Sequence, residues 1–388
     1  MKKKVCIVVN SRANYARIKS VLIEIKKSSK LELQLVLGAS SLVGRFGDLE
    51  KIIDKDGFKI KNKIYSIVEG DNLATMAKST GLAIIELSNL FLNIKPDFVL
   101  TIADRFETIA TAIAASYMNI PLVHTQGGEV TGSIDESVRH AITRLSNLHF
   151  PSSKKSMKNL KRMGEDRKMI FLTGCPSIDL AYQIYKNKKK INIEKILNKN
   201  VGVGNLNNKM KDYIVVLQHP VTTEYEDTRK NIKETIKSIQ NLNLPTIWLW
   251  PNIDAGNDII SKEIRKFREK INPKNILFVK NFSPEDFLKV LMKSKCIVGN
   301  SSVAIRECSF LGVPAVNIGS RQNGREHGEN VKFCDYNSAQ IIRLVKEQIR
   351  YGKYHQSKIF GNGDAGLKIR KILEKIKFKT LQKKLNYK

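Results

Sequence analysis

Apolar positions along the chain fall into two alternating patterns. Short runs at residues 5–9, 33–37, 98–102 and 122–124 are dense in Val, Ile and Leu, as expected of strands buried on both faces. Between them, residues 15–27, 73–93 and 107–118 carry apolar side chains at three- and four-residue spacing, which predicts helices with one buried face. Residues 149–151 and 169–173 continue the strand series, and a further helix is predicted to start near Asp135. Such βαβα alternation predicts a parallel sheet covered on both sides.

The alternation pauses between residues 185 and 211, which are rich in Lys and Asn and include Gly202-Val203-Gly204. This stretch reads as a helix and a loop joining two domains. Strands are then predicted at 213–218, 246–250, 276–279, 296–298 and 315–318, with helices at 227–240, 259–271, 284–293 and 305–310. Residues 366–388 read as a basic amphipathic helix. The expected class is α/β, with two Rossmann-like domains and a cleft between them: residues 1–185, residues 186–365, and a C-terminal helix over 366–388.

Composition narrows the function. A chain of 388 residues with 42% apolar content has enough material for a sizeable core and is not disordered. No run of 18 apolar residues is present, and Met1-Lys2-Lys3-Lys4 precedes too short an apolar run for a signal peptide. The five cysteines form no CxxC pair, so neither a zinc cluster nor a disulfide framework is expected, and a cytoplasmic location follows. The net charge of +30 raises a nucleic-acid partner, but the lysines are scattered and lack the aromatic or glycine pattern of an RNA-binding module. Solvated lysine faces are the expectation, with a basic field that would attract a small anionic substrate.

Open α/β sheets bind ligands at the carboxyl ends of their strands. Polar clusters follow apolar runs here at 10–12, 104–105, 124–129, 219, 252–256 and 300–302. Ser301 and Ser302 stand where a helix begins, positions that serve either as a simple cap or as a diphosphate cradle. Arg321 and Arg325, after the next strand, match phosphate oxygens bidentately and favour the cradle. The segment from His124 to His140 holds Gln126, Gly127, Gly128, Glu129, Asp135, Glu136 and Arg139; its twin glycines permit a tight turn or a close approach to a ligand. Asp104 and Arg105 end a strand together, as an internal ion pair or as site residues. His219, before Pro220, has an extended backbone from which its ring could enter a cleft. There is no GxxxxGK[ST], no GxGxxG after the first strand, no HExxH and no GxSxG, so bound NAD or ATP, a metal and an esterase triad are not expected. Carboxylates, a histidine and a diphosphate site suit acid–base work on a nucleotide-linked substrate.

Several runs together resemble one family. They are Asp104-Arg105-Phe106-Glu107, Gly127-Gly128-Glu129-Val130-Thr131-Gly132, Asp135-Glu136 with Arg139-His140, and Gln218-His219-Pro220-Val221-Thr222-Thr223. Pro251-Asn252-Ile253-Asp254-Ala255-Gly256, Gly299-Asn300-Ser301-Ser302 and Arg321-Gln322 with Gly324-Arg325-Glu326 complete them. In one register from about residue 4 to 373, the chain resembles the hydrolysing UDP-N-acetylglucosamine 2-epimerases, both of bacterial sialic-acid pathways and of the epimerase half of the animal epimerase/kinase. The resemblance implies a GT-B arrangement, a sugar-side first domain and a nucleotide-binding second domain. It implies conversion of UDP-N-acetylglucosamine and water to N-acetylmannosamine and UDP through a 2-acetamidoglycal, with no cofactor or metal. A homodimer or homotetramer is expected, and no sugar kinase.

By the same resemblance, Asp104 and Asp135 match catalytic acids and His219 matches a histidine at the sugar diphosphate. Arg12, Arg105, Asn252, Ser301, Ser302, Glu307 and Arg321 match nucleotide contacts, with Glu307 on the ribose and the backbone near Phe282 on the uracil. Four departures fall on the sugar side. Gln126 stands where the animal enzyme has a proton-shuttling Glu, so Glu129 or another acid would have to take that part. Asn14 and Ile102 replace Asp and His, and the loop 38–41 lacks a histidine. They leave open UDP- or GDP-linked N,N'-diacetylbacillosamine as substrate. A non-hydrolysing epimerase, a glycosyltransferase of the same fold and a polyanion-binding protein are the rival readings.

Overall fold

The computed structural model describes residues 1–44, 48–200, 202–204, 206, 212–378 and 381–384. The first half runs β1 (Lys3–Val9), α1 (Arg12–Lys27), β2 (Leu31–Gly38), α2 (Leu49–Lys55), β3 (Ile60–Ile64), α3 (Leu73–Ile94), β4 (Phe98–Ile102), α4 (Phe106–Tyr117), β5 (Leu122–Thr125), α5 (Ile134–Leu145), β6 (Leu148–Phe150) and α6 (Lys154–Arg162). Among the described residues its strands form a parallel sheet ordered β3-β2-β1-β4-β5-β6.

The second half runs α7 (Pro176–Lys186), α8 (Ile193–Lys199), β7 (Val203–Gly204), β8 (Ile214–Leu217), α9 (Thr228–Leu242), β9 (Thr246–Leu249), α10 (Asn257–Ile271), β10 (Ile276–Val279) and α11 (Pro284–Lys293). It continues through β11 (Ile297–Gly299), α12 (Ser302–Ile305), α13 (Glu307–Leu311), β12 (Ala315–Ile318), β13 (Val331–Cys334), α14 (Ser338–Tyr351) and α15 (Ala365–Lys375). Its sheet is ordered β13-β12-β11-β8-β9-β10-β7, with β7 antiparallel to β10 and the other pairs parallel. Apart from β7, each half has the doubly wound order in which strand direction of travel reverses once, between β1 and β4 and between β8 and β11. Loops diverge at such a reversal and leave a crevice.

The chain crosses between the halves twice, side by side. Cys175 donates its N–H to the Phe360 carbonyl at 2.7 Å, and a Cβ on Gly174 or Gly361 would lie 3.1 or 3.2 Å from the other's Cα. After the first crossing, α7 buries Ile178, Ala181 and Ile184 against Val215, Ile247 and Ile297. After the second, α15 buries Ile369 and Leu373 with β1 and α1 of the first sheet. Full burial of such side chains contributes roughly 1.5–3 kcal/mol each, so the C-terminal segment belongs to that core.

Some local expectations change. Residues 169–173 do not form a strand: Met169 ends a 3-10 turn and only Ile170 bridges, to His149. The helix expected at 305–310 breaks at Arg306 into α12 and α13, and the Arg306 side chain reaches Glu129 at 2.6 Å. The tail helix stops at Lys375, where the Lys3 ammonium donates to the carbonyls of Leu373, Glu374 and Ile376 at 3.4, 3.3 and 2.8 Å. Of that expected helix, residues 379–380 and 385–388 lie outside the described residues, as do 201, 205 and 207–211 of the joining stretch. Within the joining stretch, Val203–Gly204 is an edge strand rather than loop.

Candidate active site

The two reversal points face each other across a cleft of about 220 Å³. From the first half Arg12, Arg17, Asp104, Arg105 and Asp135 line it; from the second come His219, Asn252, Phe282, Ser301, Ser302, Glu307 and Arg321. Every expected site residue therefore reaches the cleft except Gln126 and Glu129.

His219 follows β8 and is fixed from two sides. The Asn300 side chain accepts the His219 N–H at 2.7 Å and donates to its carbonyl at 2.8 Å. The Asn252 N–H donates to His219 Nδ1 at 3.1 Å, which leaves the ring proton on Nε2. Burial, reinforced by the guanidiniums of Arg321, Arg105 and Arg17, pushes His219 well below the usual histidine range. The ring is thus a neutral hydrogen-bond donor in a field of positive charge.

The serines divide their tasks. Ser301 caps α12 and accepts from the Val303 N–H at 3.5 Å, whereas the Ser302 hydroxyl accepts from Arg17 Nη2 at 2.7 Å. Arg321 donates to the Asn300 carbonyl at 3.3 Å and lies 3.5 Å from Asp135. Arg12 Nε is buried with no hydrogen-bond partner among the described residues, and burial brings its pKa down to about 10 against the pull of Asp48. Glu307 likewise presents a buried carboxylate oxygen, Oε2, with no partner among the described residues. The Phe282 ring packs in the core, and its N–H is held by the Asn281 side chain at 2.8 Å, so this residue shapes the wall.

Adjacent in sequence, Asp104 and Arg105 turn to different partners. Arg105 forks onto Glu107 at 3.1 and 3.3 Å and reaches Asp254 at 2.8 Å. Asp104 pairs with the buried Arg139 and has Arg17 at 3.8 Å. Burial alone would raise the Asp104 carboxyl, but Arg139, Arg17 and Arg325 outweigh it and hold it far below the carboxylate range. Asp135 goes the other way: burial, Asp104 and Asp254 raise it against Arg321 and Arg105. Two carboxyls facing one cleft are driven in opposite directions.

Glu129 and Gln126 lie behind this wall. Glu129 joins the halves by pairing with Arg306 and Arg325, and it accepts from Ser152 at 2.7 Å. Burial raises its carboxyl, but Arg306, Arg325 and Arg139 bring it well below the usual range. Gln126 has φ 63°, and both polar atoms of its buried side chain lack a protein partner. The twin glycines pack closely on protein: a Cβ on Gly128 would sit 2.3 Å from the Ser156 carbonyl of α6. Of the other departures, Ser40 lines the cleft, Ile102 lies in the core and Asn14 accepts the Asn10 N–H at 3.3 Å.

Arg17 is among the cleft residues that sequence reasoning missed, Lys280 and Asn281 being others. Its signal was available: Arg12, Ala13, Ala16 and Arg17 share the cleft-facing side of α1. Among the described residues no group of three His, Cys, Asp or Glu side chains could hold a metal ion, and no helix is long and apolar enough to cross a membrane.

A family profile described as UDP-N-acetylglucosamine 2-epimerase matches residues 23–374. The chain is 34% identical over 341 residues to the GDP/UDP-N,N'-diacetylbacillosamine 2-epimerase (hydrolyzing) of Campylobacter jejuni, covering 87% of this chain and 85% of that one. It is 31% identical over 376 residues to the UDP-N,N'-diacetylbacillosamine 2-epimerase (hydrolyzing) of Legionella pneumophila, covering 97% of each. The fold matches that of the Methanocaldococcus jannaschii UDP-GlcNAc 2-epimerase, crystallised with UDP-GlcNAc and UDP, at a TM-score of 0.79 and 20% identity, over 95% of this chain and 99% of that one. Two Rossmann-like halves closing on a cleft make this a GT-B arrangement.

Proposed function

The chain belongs to the UDP-N-acetylglucosamine 2-epimerase family, and from that premise we propose that it is a hydrolysing 2-epimerase of a UDP-linked 2-acetamido sugar. In the first reading UDP-N-acetylglucosamine and water give N-acetylmannosamine and UDP through a 2-acetamidoglycal. The observation that carries it is the division of the cleft. Arg12, Arg17 and Arg321 line the cleft with Ser302 and a neutral, donating His219, while Asp104 and Asp135 face the same space with opposite proton affinities.

Such a division suits elimination followed by hydration. Asp104, held ionised, takes the C2 proton as the C1–O bond breaks and UDP departs with its electron pair. Asp135, which keeps its proton more readily, delivers it to C2 on the opposite face as water adds at C1; the proton that water loses recharges Asp135, and Asp104 releases its own to solvent. His219 Nε2–H and the arginines stabilise charge on the departing diphosphate. Glu307, with an unpartnered oxygen, is suited to accept from the ribose hydroxyls. The product would feed sialic or another nonulosonic acid synthesis in the cytoplasm, from a homodimer or homotetramer.

A second reading replaces the sugar by N,N'-diacetylbacillosamine, on UDP or GDP. It is favoured by the activities for which the Legionella and Campylobacter relatives are named. NMR of parallel reactions in deuterated water tests both. Free UDP and a reducing 2-epimer carrying deuterium at C2 are expected, and the faster substrate identifies the sugar. A UDP-linked product, or C2 without deuterium, overturns the hydrolysing mechanism.

A further inference from the structure

We propose that Arg17 carries the leaving charge of UDP: reaching from the first half onto the diphosphate loop of the second, it completes the phosphate site beside Asp104. The inference rests on the function proposed above and assigns a residue that the family resemblance did not supply.

Arg17 is rooted in α1, yet its Nη2 lies 2.7 Å from Ser302 Oγ in the opposite half and its Nη1 lies 3.8 Å from Asp104 Oδ1. One guanidinium thus spans the gap between the carboxylate side and the phosphate side. Burial and the fully buried Arg306 oppose its charge, and Asp104 and Glu307 support it. Neither carboxylate closes on it: Asp104 pairs closely with Arg139 and stays 3.8 Å from Arg17, and the group at 2.7 Å is the neutral Ser302 hydroxyl. A planar cation so placed is best satisfied by a phosphate dianion, which accepts two parallel N–H bonds.

The shape of α1 agrees. Ala13 and Ala16 line the cleft between Arg12 and Arg17, so the helix face is bare between two cations and leaves room for a ligand. Arg12 Nε, with no hydrogen-bond partner among the described residues, supplies the second donor on that face. When the C1–O bond breaks, its electron pair remains on the β-phosphate oxygen of UDP, the C2 proton passes to a carboxylate and C1=C2 forms. Charge grows on the oxygen that Arg17, already held against Ser302 of the second half, is placed to meet. In this reading the N-terminal half contributes to leaving-group departure as well as to proton transfer.

The test uses Arg17→Met and Arg17→Lys in the full chain, with calorimetric titration of UDP, UMP and uridine and single-turnover release of UDP. Arg17→Met should weaken UDP at least about tenfold while leaving UMP and uridine unchanged, and should slow release by roughly a hundredfold, typical for loss of one preorganised donor. Arg17→Lys should recover part of the UDP affinity. An unchanged UDP-to-UMP affinity ratio overturns the inference, and so does an equal loss for UDP, UMP and uridine, the mark of a structural role. Should Arg17→Met not fold, Arg17→Gln is read in the same way. Failure of the wild-type protein to bind UDP or release it from a UDP-sugar would instead overturn the proposed function.

Discussion

Asn300 holds both backbone polar groups of His219, accepting its N–H at 2.7 Å and donating to its carbonyl at 2.8 Å. The two residues lie at the carboxyl ends of adjacent strands β11 and β8, on either side of the reversal point in the second sheet. Asn300→Ala would strand a buried N–H and carbonyl, each costing roughly 1–3 kcal/mol. The variant is expected to melt several degrees lower and to lose turnover because the His219 ring drifts. Wild-type melting and activity in Asn300→Ala would show that the clamp does not position the ring.

His219 should act as a donor that never titrates in the working range. Its Nδ1 is occupied by the Asn252 N–H, and burial with three nearby guanidiniums keeps it uncharged. Nitrogen-resolved NMR should find the Nε2–H tautomer unchanged from pH 5.5 to 8. His219→Ala should cut turnover at least roughly a hundredfold, the scale of a lost transition-state donor. A ring that protonates near pH 6.5 would contradict this assignment.

Of the two cleft carboxyls, Asp135 and not Asp104 should shape the pH profile of turnover. Asp104 must be ionised and is held far below the carboxylate range, so it sets no limb near neutrality. Asp135 must be protonated to donate and its pKa is raised, so turnover should fall as pH rises through that value. Asp135→Asn should abolish this alkaline decline along with most activity. Asp104→Asn should cost at least roughly a hundredfold at every pH. Retention of the decline in Asp135→Asn would assign it to another group.

Glu165 should make the fold acid-sensitive away from the cleft. Burial would raise its carboxyl, but His149 at 2.9 Å and Lys383 at 2.5 Å bring it down to about 2 from its ordinary 4.5. A carboxyl depressed in the folded state contributes stability above its unfolded pKa and loses it as pH falls through the folded one. The contribution, roughly 3 kcal/mol, should therefore be present at neutrality and vanish between about pH 4.5 and 2. Denaturant unfolding of wild type and Glu165→Gln should differ at pH 7 and converge near pH 2; a constant gap would exclude the linkage.

Arg321→Ala should weaken UDP binding, since Arg321 sits on the cleft beside Asn300 and Asp135. Glu307→Gln should weaken UDP more than 2'-deoxy-UDP if its unpartnered oxygen accepts a ribose hydroxyl. Titration calorimetry reads both. Unchanged UDP affinity in both variants would remove the nucleotide from this end of the cleft.

The strands and most helices were legible because buried parallel strands must be continuous in apolar residues and their helices must repeat at helical spacing. Elements without that signature were missed. The edge strand β3 reads Ile-Lys-Asn-Lys-Ile, and α6 carries Lys154, Lys155, Lys158, Lys161 and Arg162 with little apolar face. Residues 169–173 show the converse, an apolar stretch that finds a single bridge beside β6.

The site divides along the same line. Strand ends and loop chemistry are local, so the sequence alone brought Asp104, Asp135, His219, Ser301, Ser302 and Arg321 forward as candidates. Which charges meet is not local. Only the tertiary structure turned Asp104 from Arg105 to Arg139, withdrew Glu129 to a bridge between the halves, and carried Arg17 across to Ser302. Ion pairs depend on distances across folded sheets, and residues 285 apart in the chain have no spacing rule that a sequence can display.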